Sequence, residues 1–293
     1  MTLQAGFQFS QSSLQDYIDC HRRFQLRYIL RLAWPAAEAI PASENENYLR
    51  LGATFHYLIR QHQSQLPVKR LSTSIRYLQQ SGGDELAQWW ENYLTFLTTH
   101  QDFGTIIQPD IPMGTKRYPE LSLSAPINLY RIVSKYDLLA ILPSGKIIIF
   151  DWKTNRTRPK RVWLLDRVQT RIYPYLLIRA GSELNGGKPI HPEQVEMCYW
   201  FANFPTDIEQ IHYSDEQFQS DTAWVRELVD QISQKGEEDF PLTHNDLHCR
   251  FCVYRSLCDR GVLPGQLEQA EGDDYEDITS IDLSFDQINE IEY

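Results

Sequence analysis

The chain has 293 residues, 42% hydrophobic and 23% charged, which is enough apolar material for a large buried core. No apolar run approaches the ~18 residues that a membrane span needs, and Met1-Thr2-Leu3-Gln4 opens no signal peptide, so a membrane or exported protein is not expected. The formal charge of −11 is concentrated at one end: there is no Lys or Arg after Arg260, and residues 267–293 carry ten Asp and Glu. The preceding body is therefore nearly neutral, which neither requires nor excludes a nucleic-acid partner. Arg156, Arg158, Lys160, Arg161, Arg167 and Arg171 form a local basic cluster suited to a groove. Five unevenly spaced cysteines make no disulfide framework and point to a reducing, cytoplasmic setting.

In chain order, residues 10–33 begin with serines suited to an N-cap. Leu14, Tyr17, Ile18, Phe24, Tyr28 and Ile29 then form a helical stripe, ended by Trp34-Pro35. A polar linker runs to about Asn47. Residues 49–59 make a second helix with Gly52 and His56 one turn apart, where a small residue permits a close approach. Residues 71–80 and 83–99 read as two more helices, the second rich in aromatics (Trp89, Trp90, Tyr93, Phe96). From about residue 105 the pattern changes to strands. Tyr118–Ala125 alternates, a strand bearing Asp137 follows, and then comes the stretch 146–153. A helix over Val162–Ala180 carries Gln169, Tyr173 and Tyr175. Residues 195–201 read as a buried strand, 207–213 as its hairpin partner, and 215–235 as a helix. The order gives an α/β fold without internal repeats.

Lys146-Ile147-Ile148-Ile149-Phe150-Asp151-Trp152-Lys153 is the chemical centre of this pattern. Four consecutive apolar residues suit a strand covered on both faces, and period two puts Asp151 and Lys153 on one face with Phe150 and Trp152 on the other. Pro143-Ser144-Gly145 turns the Asp137 strand back against it, which can bring Asp137 close to Asp151. Two adjacent carboxylates repel unless a cation lies between them, and oxygen ligands suit Mg²⁺ or Mn²⁺. The plainer reading is a surface ion pair at a strand end, usually worth little.

Cys249, Cys252 and Cys258 have the spacing C-x2-C-x5-C, and Cys20 lies more than 220 residues upstream. Four such thiols can hold an iron–sulfur cluster or zinc, and His244 and His248 keep zinc open. Either group would staple the N-terminal helix to the C-terminal segment. Cys198, mid-strand among apolar residues, reads as simply buried.

The ordered set Ser12-x-Leu14-x-x-Tyr17-x-x-Cys20-x-Arg22-Arg23-Phe24, Gly52-x-x-x-His56, Asp137, Asp151-x-Lys153, Gln169-x-x-x-Tyr173 and Cys249, Cys252, Cys258 resembles the PD-(D/E)xK nuclease superfamily. Within it, the likeness is to the RecB-like branch with an iron–sulfur staple, which includes AddB-type and CRISPR-associated RecB-like exonucleases. The resemblance implies a restriction-endonuclease-like mixed-sheet core flanked by helices. Its parts would be 1–46 (first helix, first cysteine and linker), 47–104 (inserted helical subdomain), 105–240 (nuclease core), 241–262 (cysteine segment) and 263–293 (acidic, disordered tail). It further implies divalent-metal ligands at His56, Asp137 and Asp151, and Lys153 orienting or deprotonating the attacking water. Gln169 and Tyr173 would position the DNA strand, and Glu120 would fall at an acidic position of the first strand. Cys20, Cys249, Cys252 and Cys258 would hold a [4Fe–4S] cluster rather than zinc. The segment before Asp137, Val133-Ser134-Lys135-Tyr136, departs from the glycine-containing turn common in the family.

The function expected from this set is a Mg²⁺- or Mn²⁺-dependent DNA nuclease. It would act on single strands or ends, as an exonuclease in repair, recombination or CRISPR adaptation, with a helicase or other repair or adaptation protein as partner. The competing reading is a catalytically silent, DNA-binding scaffold subunit of a helicase–nuclease complex. The tail from Glu271 to Tyr293 reads as a solvated end, or as a docking or self-inhibitory segment that mimics the charge of DNA.

Overall fold

The computed structural model describes residues 3–32, 40–79, 83–109, 114–250 and 252–261. A two-residue strand, β1 (Gln8–Phe9), precedes α1 (Gln11–Asp19) and is too short to show a period in the sequence. Ser10 and Ser13 cap α1 reciprocally: each hydroxyl accepts from the other's backbone N–H. The single helix expected through residue 33 breaks at Cys20, which is extended. It resumes as α2 (His21–Phe24) and a wide helical turn over Gln25–Ile29. Trp34-Pro35, expected to end that helix, lies outside the described residues, as does the acidic tail 263–293.

The next helix, α3 (Ile40–Gln63), starts before Asn47, so part of the expected polar linker is helical. Ala42, Glu44 and Glu46 are good helix formers, and their polarity reflects no break in structure. The helices α4 (Val68–Gln79) and α5 (Asp84–Thr99) follow the expected spans closely. The switch to strands comes later than residue 105, because α6 (Gln101–Ile107) intervenes. Then β2 (Lys116–Ile127), β3 (Tyr130–Ile141) and β4 (Ile147–Lys153) form an antiparallel meander. Gly145, at φ 87°, supplies the left-handed residue between β3 and β4. The helix expected over 162–180 is two, α7 (Arg161–Asp166) and α8 (Val168–Ala180), separated by an extended Arg167. The chain continues through β5 (Val195–Phe201), β6 (Phe204–His212) and α9 (Asp215–Ser233), then through short turns bearing the last three cysteines.

The six strands make one mixed sheet. Along its whole length one edge of β3 pairs with β2. Its other edge is shared: β1 runs parallel to Arg131 and Ile132, and β4 runs antiparallel to Leu138–Ile141. Between them, residues 133–137 of β3 have no strand on that edge among the described residues. β5 pairs parallel to β4, and the helices α7 and α8 make the crossover that this geometry needs. Successive residues of β4 serve opposite layers. Ile148, Phe150 and Trp152 pack with Phe55, Trp89, Tyr93 and Phe96 of the helical layer, whereas Ile147 and Ile149 pack with Tyr173 and Leu177 of α8. This is the mixed sheet flanked by helices expected from the sequence.

A third apolar cluster joins α1, β1, α8 and α9 through Phe9, Leu14, Ile172 and Val225. The two ends of the described chain also hold each other. Arg22 N–H donates to the Pro241 carbonyl, Gln25 Nε2 donates to the Glu237 carbonyl at 2.6 Å, and the Tyr254 hydroxyl donates to the Leu32 carbonyl. Phe24 stacks on Phe240 with ring centres 6.2 Å apart. Among the described residues no helix is long and apolar enough to cross a membrane.

Candidate active site

The β3–β4 ladder runs from Ile141–Ile147 to Leu138–Phe150 and stops. One step further, Asp137 faces Asp151, and there a side chain takes over from the ladder. Asp137 Oδ2 accepts the Trp152 backbone N–H at 2.9 Å, which fixes the carboxylate at the end of β4. On β2, Glu120 falls between the pairs Pro119–Leu138 and Leu121–Tyr136, opposite Asp137, with φ 54°. A side chain with a Cβ held in this left-handed region costs about 1–3 kcal/mol, and such residues cluster at functional sites. Glu120 Oε2 lies 2.6 Å from Lys135 Nζ.

His56 reaches the same point from α3, with Nδ1 3.1 Å from Asp137 Oδ1. The helix comes this close because Gly52 has no side chain: a Cβ there would lie 3.2 Å from Thr154 Oγ1. Tyr48, also on α3, donates its hydroxyl to the Thr154 carbonyl and ties the helix to the chain leaving β4. One ligand atom from each of His56, Glu120 and Asp137 can be chosen so that all three lie within 4.8 Å of one another.

Asp151 and Lys153 emerge together on the α8 face, as period two requires. Gln169 bridges them: its Nε2 donates to Asp151 Oδ1 at 2.5 Å, and its Oε1 accepts from Lys153 Nζ at 2.7 Å. Lys153 Nζ forms an ion pair with the buried Asp151 Oδ2 at 3.2 Å. Tyr173, one turn after Gln169, lies 3% exposed beneath the site. Its hydroxyl donates to the Lys135 carbonyl, and its own carbonyl accepts from Tyr136. Both residues line the cleft.

The charges are strongly coupled. Burial pushes the Asp151 carboxyl up to about 7; Lys153 opposes that rise and Asp137 adds to it. For Asp137, burial acts upward, but His56, the Trp152 amide and Lys153 outweigh it and hold the carboxyl below its ordinary value. Burial disfavours the His56 imidazolium, yet the neighbouring Asp137 overrides this and raises the imidazole to about 8. His56 and Asp151 therefore each keep a proton to higher pH than usual, while Asp137 gives its proton up more readily.

These side chains face a cleft of about 570 Å³. The sequence reading missed several residues that line it: Tyr57 and Arg60 on α3, Lys135 on β3, and Asn155 just past β4. Arg60 lies four residues after His56, so the helical period could have found it, whereas Tyr57, the next residue after His56, is not marked by that period. Asn155 is 2% exposed, and its Nδ2 has no hydrogen-bond partner.

The expected basic groove is largely neutralised. Arg156 pairs with Glu85, Arg158 with Asp207 and Glu209, Arg161 with Glu209, and Arg171 with Asp221. Only Arg167 of that cluster lines the cleft.

Cys20, Cys249, Cys252 and Cys258 line one small cavity remote in the fold from Asp151, together with Arg23, His248, Arg255 and Arg260. All four are free thiols, and Arg260 Nη1 donates to Cys249 Sγ at 3.1 Å. His248 but not His244 lines this cavity. Cys198 is buried within β5.

Among solved structures, the chain is similar to a candidate exonuclease from Eubacterium rectale, with 12% identity and a TM-score of 0.45 over 91% of this chain and 86% of that one. It is also similar to SSO0001, with 12% identity and a TM-score of 0.39 over 89% and 90% of the two chains. No curated protein matches it. The family model of the PD-(D/E)XK nuclease superfamily matches residues 8–259, from β1 to the turn after the last cysteine, and the chain belongs to that superfamily.

Proposed function

We propose that this protein is a divalent-metal-dependent DNA nuclease of the RecB-like branch that acts on single strands or ends. The observation that carries this reading is the convergence of His56, Glu120 and Asp137, one ligand atom from each within 4.8 Å of the others, beside the buried Asp151–Lys153 ion pair at a cleft of about 570 Å³. Carboxylates gathered this closely repel one another, and a cation between them would offset that repulsion. His56, Asp137 and Asp151 would hold Mg²⁺ or Mn²⁺, with Glu120 within reach of the same ion; oxygen-rich donor sets with one imidazole suit either metal.

Bound there, the metal would supply charge stabilisation at the scissile phosphate and lower the pKa of a water. The remaining work falls to the chain. Lys153, aligned by Gln169, is placed to take up the proton or steady the developing negative charge. Asp137 holds the strand end open through the Trp152 amide, and α3 closes one wall. A catalytically silent scaffold has no use for acids, an imidazole and an ammonium brought together at a cleft.

The cysteine cavity supports a [4Fe–4S] cluster. Arg260 Nη1, which donates to Cys249 Sγ at 3.1 Å, would also donate to a thiolate ligand of the cluster. A role as an exonuclease in repair, recombination or CRISPR adaptation, alongside a helicase or similar partner, follows from the RecB-like resemblance.

The test is incubation of anaerobically purified protein with end-labelled single-stranded and duplex DNA in Mg²⁺, Mn²⁺ or EDTA. Absorbance near 400 nm would be read on the same sample. Metal-dependent cleavage lost in Asp151→Asn supports the assignment. A brown protein that binds DNA and never cuts it would establish the scaffold reading instead.

A further inference from the structure

The wall of the cleft formed by α3 is unlike the rest of the site. Ala53, Tyr57 and Arg60 are all exposed and recur at helical spacing, on the side of α3 that presents His56 to Asp137. Tyr57 is 56% exposed, although its ring is large enough to have a place in a core. At the near end of this stripe, where Gly52 touches Thr154, lies Asn155, buried and with Nδ2 unpartnered. From Gly52 to Arg60 the helix advances about 12 Å, at ~1.5 Å per residue. That is on the order of two nucleotides of an extended strand.

We propose that this wall is a single-strand track. Tyr57 stacks on one unpaired base next to the scissile phosphate, and Arg60 neutralises the phosphate of the adjoining nucleotide. The inference rests on the nuclease reading above and deepens it by naming what the site selects. Aromatic faces accept any unpaired base, and guanidinium groups track the backbone, so the track is indifferent to sequence. A paired base keeps its faces covered by its neighbours in the duplex and is not available to Tyr57. The site therefore takes single strands and frayed ends. Arg156, Arg158, Arg161 and Arg171 after β4 are held by Glu85, Asp207, Glu209 and Asp221, whereas Arg60 lines the cleft together with Arg167.

The experiment uses the full chain with Ca²⁺ in place of Mg²⁺. Affinity for a fluorescent single-stranded oligonucleotide is measured by anisotropy across a salt series, alongside a blunt duplex. Tyr57→Ala is expected to weaken single-strand binding ~5- to 150-fold, the range of one base–aromatic stack, whereas Tyr57→Phe stays within about two-fold of the parent. Arg60→Ala should lower the salt slope by about 0.7, the loss of one phosphate contact on a single strand. Both side chains are exposed, so the fold should survive either change, and thermal melts check it. If Tyr57→Ala binds the single strand like the parent, or loses duplex affinity to the same degree, the track is wrong while the nuclease reading stands. If the parent neither binds nor cuts DNA, both fall together.

Discussion

The two polar centres of this molecule are built in opposite ways. Asp137, Asp151, Lys153 and Gln169 stand on long strands and a core helix, with Ile149, Leu138 and Leu177 fully buried around them. Their geometry is set by packing. The cysteine centre rests on Cys20, at a break between two short helices, and on two four-residue turns at Asp246–Cys249 and Arg255–Cys258 that bury no residue. Little apolar packing holds it. A bound group would be expected to contribute to folding at the cysteine centre and to chemistry at the cleft.

Substitutions at either centre should therefore fail differently. The largest effect is expected from Asp151→Asn or Lys153→Ala, which should reduce cleavage on the order of 10³-fold or more with an unchanged thermal melt. A melt lowered by many degrees would mean that these residues build the core rather than the chemistry. Cys249→Ser or Cys258→Ser should do the reverse. Limited proteolysis should open the segment after residue 240, and the 400 nm absorbance should fall, while the circular dichroism of the sheet core persists. If the core unfolds with the segment, the two centres are one cooperative unit.

Gln169→Ala sharpens the contrast further. It removes the bridge between Asp151 and Lys153 without removing either, and a loss of about 10- to 100-fold in activity or metal affinity is expected, as for other outer partners of metal ligands. The smallest effect concerns pH. Asp151 is raised to about 7 and His56 to about 8, so the metal-free folded protein holds protons that the unfolded chain releases at lower pH. Its stability from these groups is present at low pH and is lost as pH rises, between about 4 and 7 for Asp151 and between about 6.5 and 8 for His56. A divalent ion competes with those protons. The rise in melting temperature on adding Mn²⁺ should thus grow from pH 6 to 8.5, and a rise independent of pH would remove these two residues from the metal site.

Much of the site was legible because its residues report through period two. Ile147–Lys153 declares both of its faces, and a strand ending in Asp-x-Lys beside an Asp-bearing hairpin needs no distant information. What escaped depended on distance or on backbone conformation. The basic cluster after β4 read as an open groove because its neutralising partners lie 48 to 71 residues away, at Glu85, Glu209 and Asp221. Glu120 read as one weak acid in an alternating strand, since nothing in the chain announces its left-handed φ. The breaks at Cys20 and Arg167 fall inside helical patterns without Gly or Pro to mark them.

The clasp between the N-terminal helices and residues 237–254 makes the described chain a closed circuit. Closing a loop of this length costs only about 0.6 kcal/mol more than closing one half as long, so a few contacts such as Phe24 on Phe240 can keep it shut. It also makes the two ends interdependent. During synthesis, His56, Asp137, Asp151 and Lys153 all leave the ribosome before residue 240 exists to meet Arg22 and Phe24. The N-terminal helices must wait for their last partner, and a truncation at either end should loosen the other.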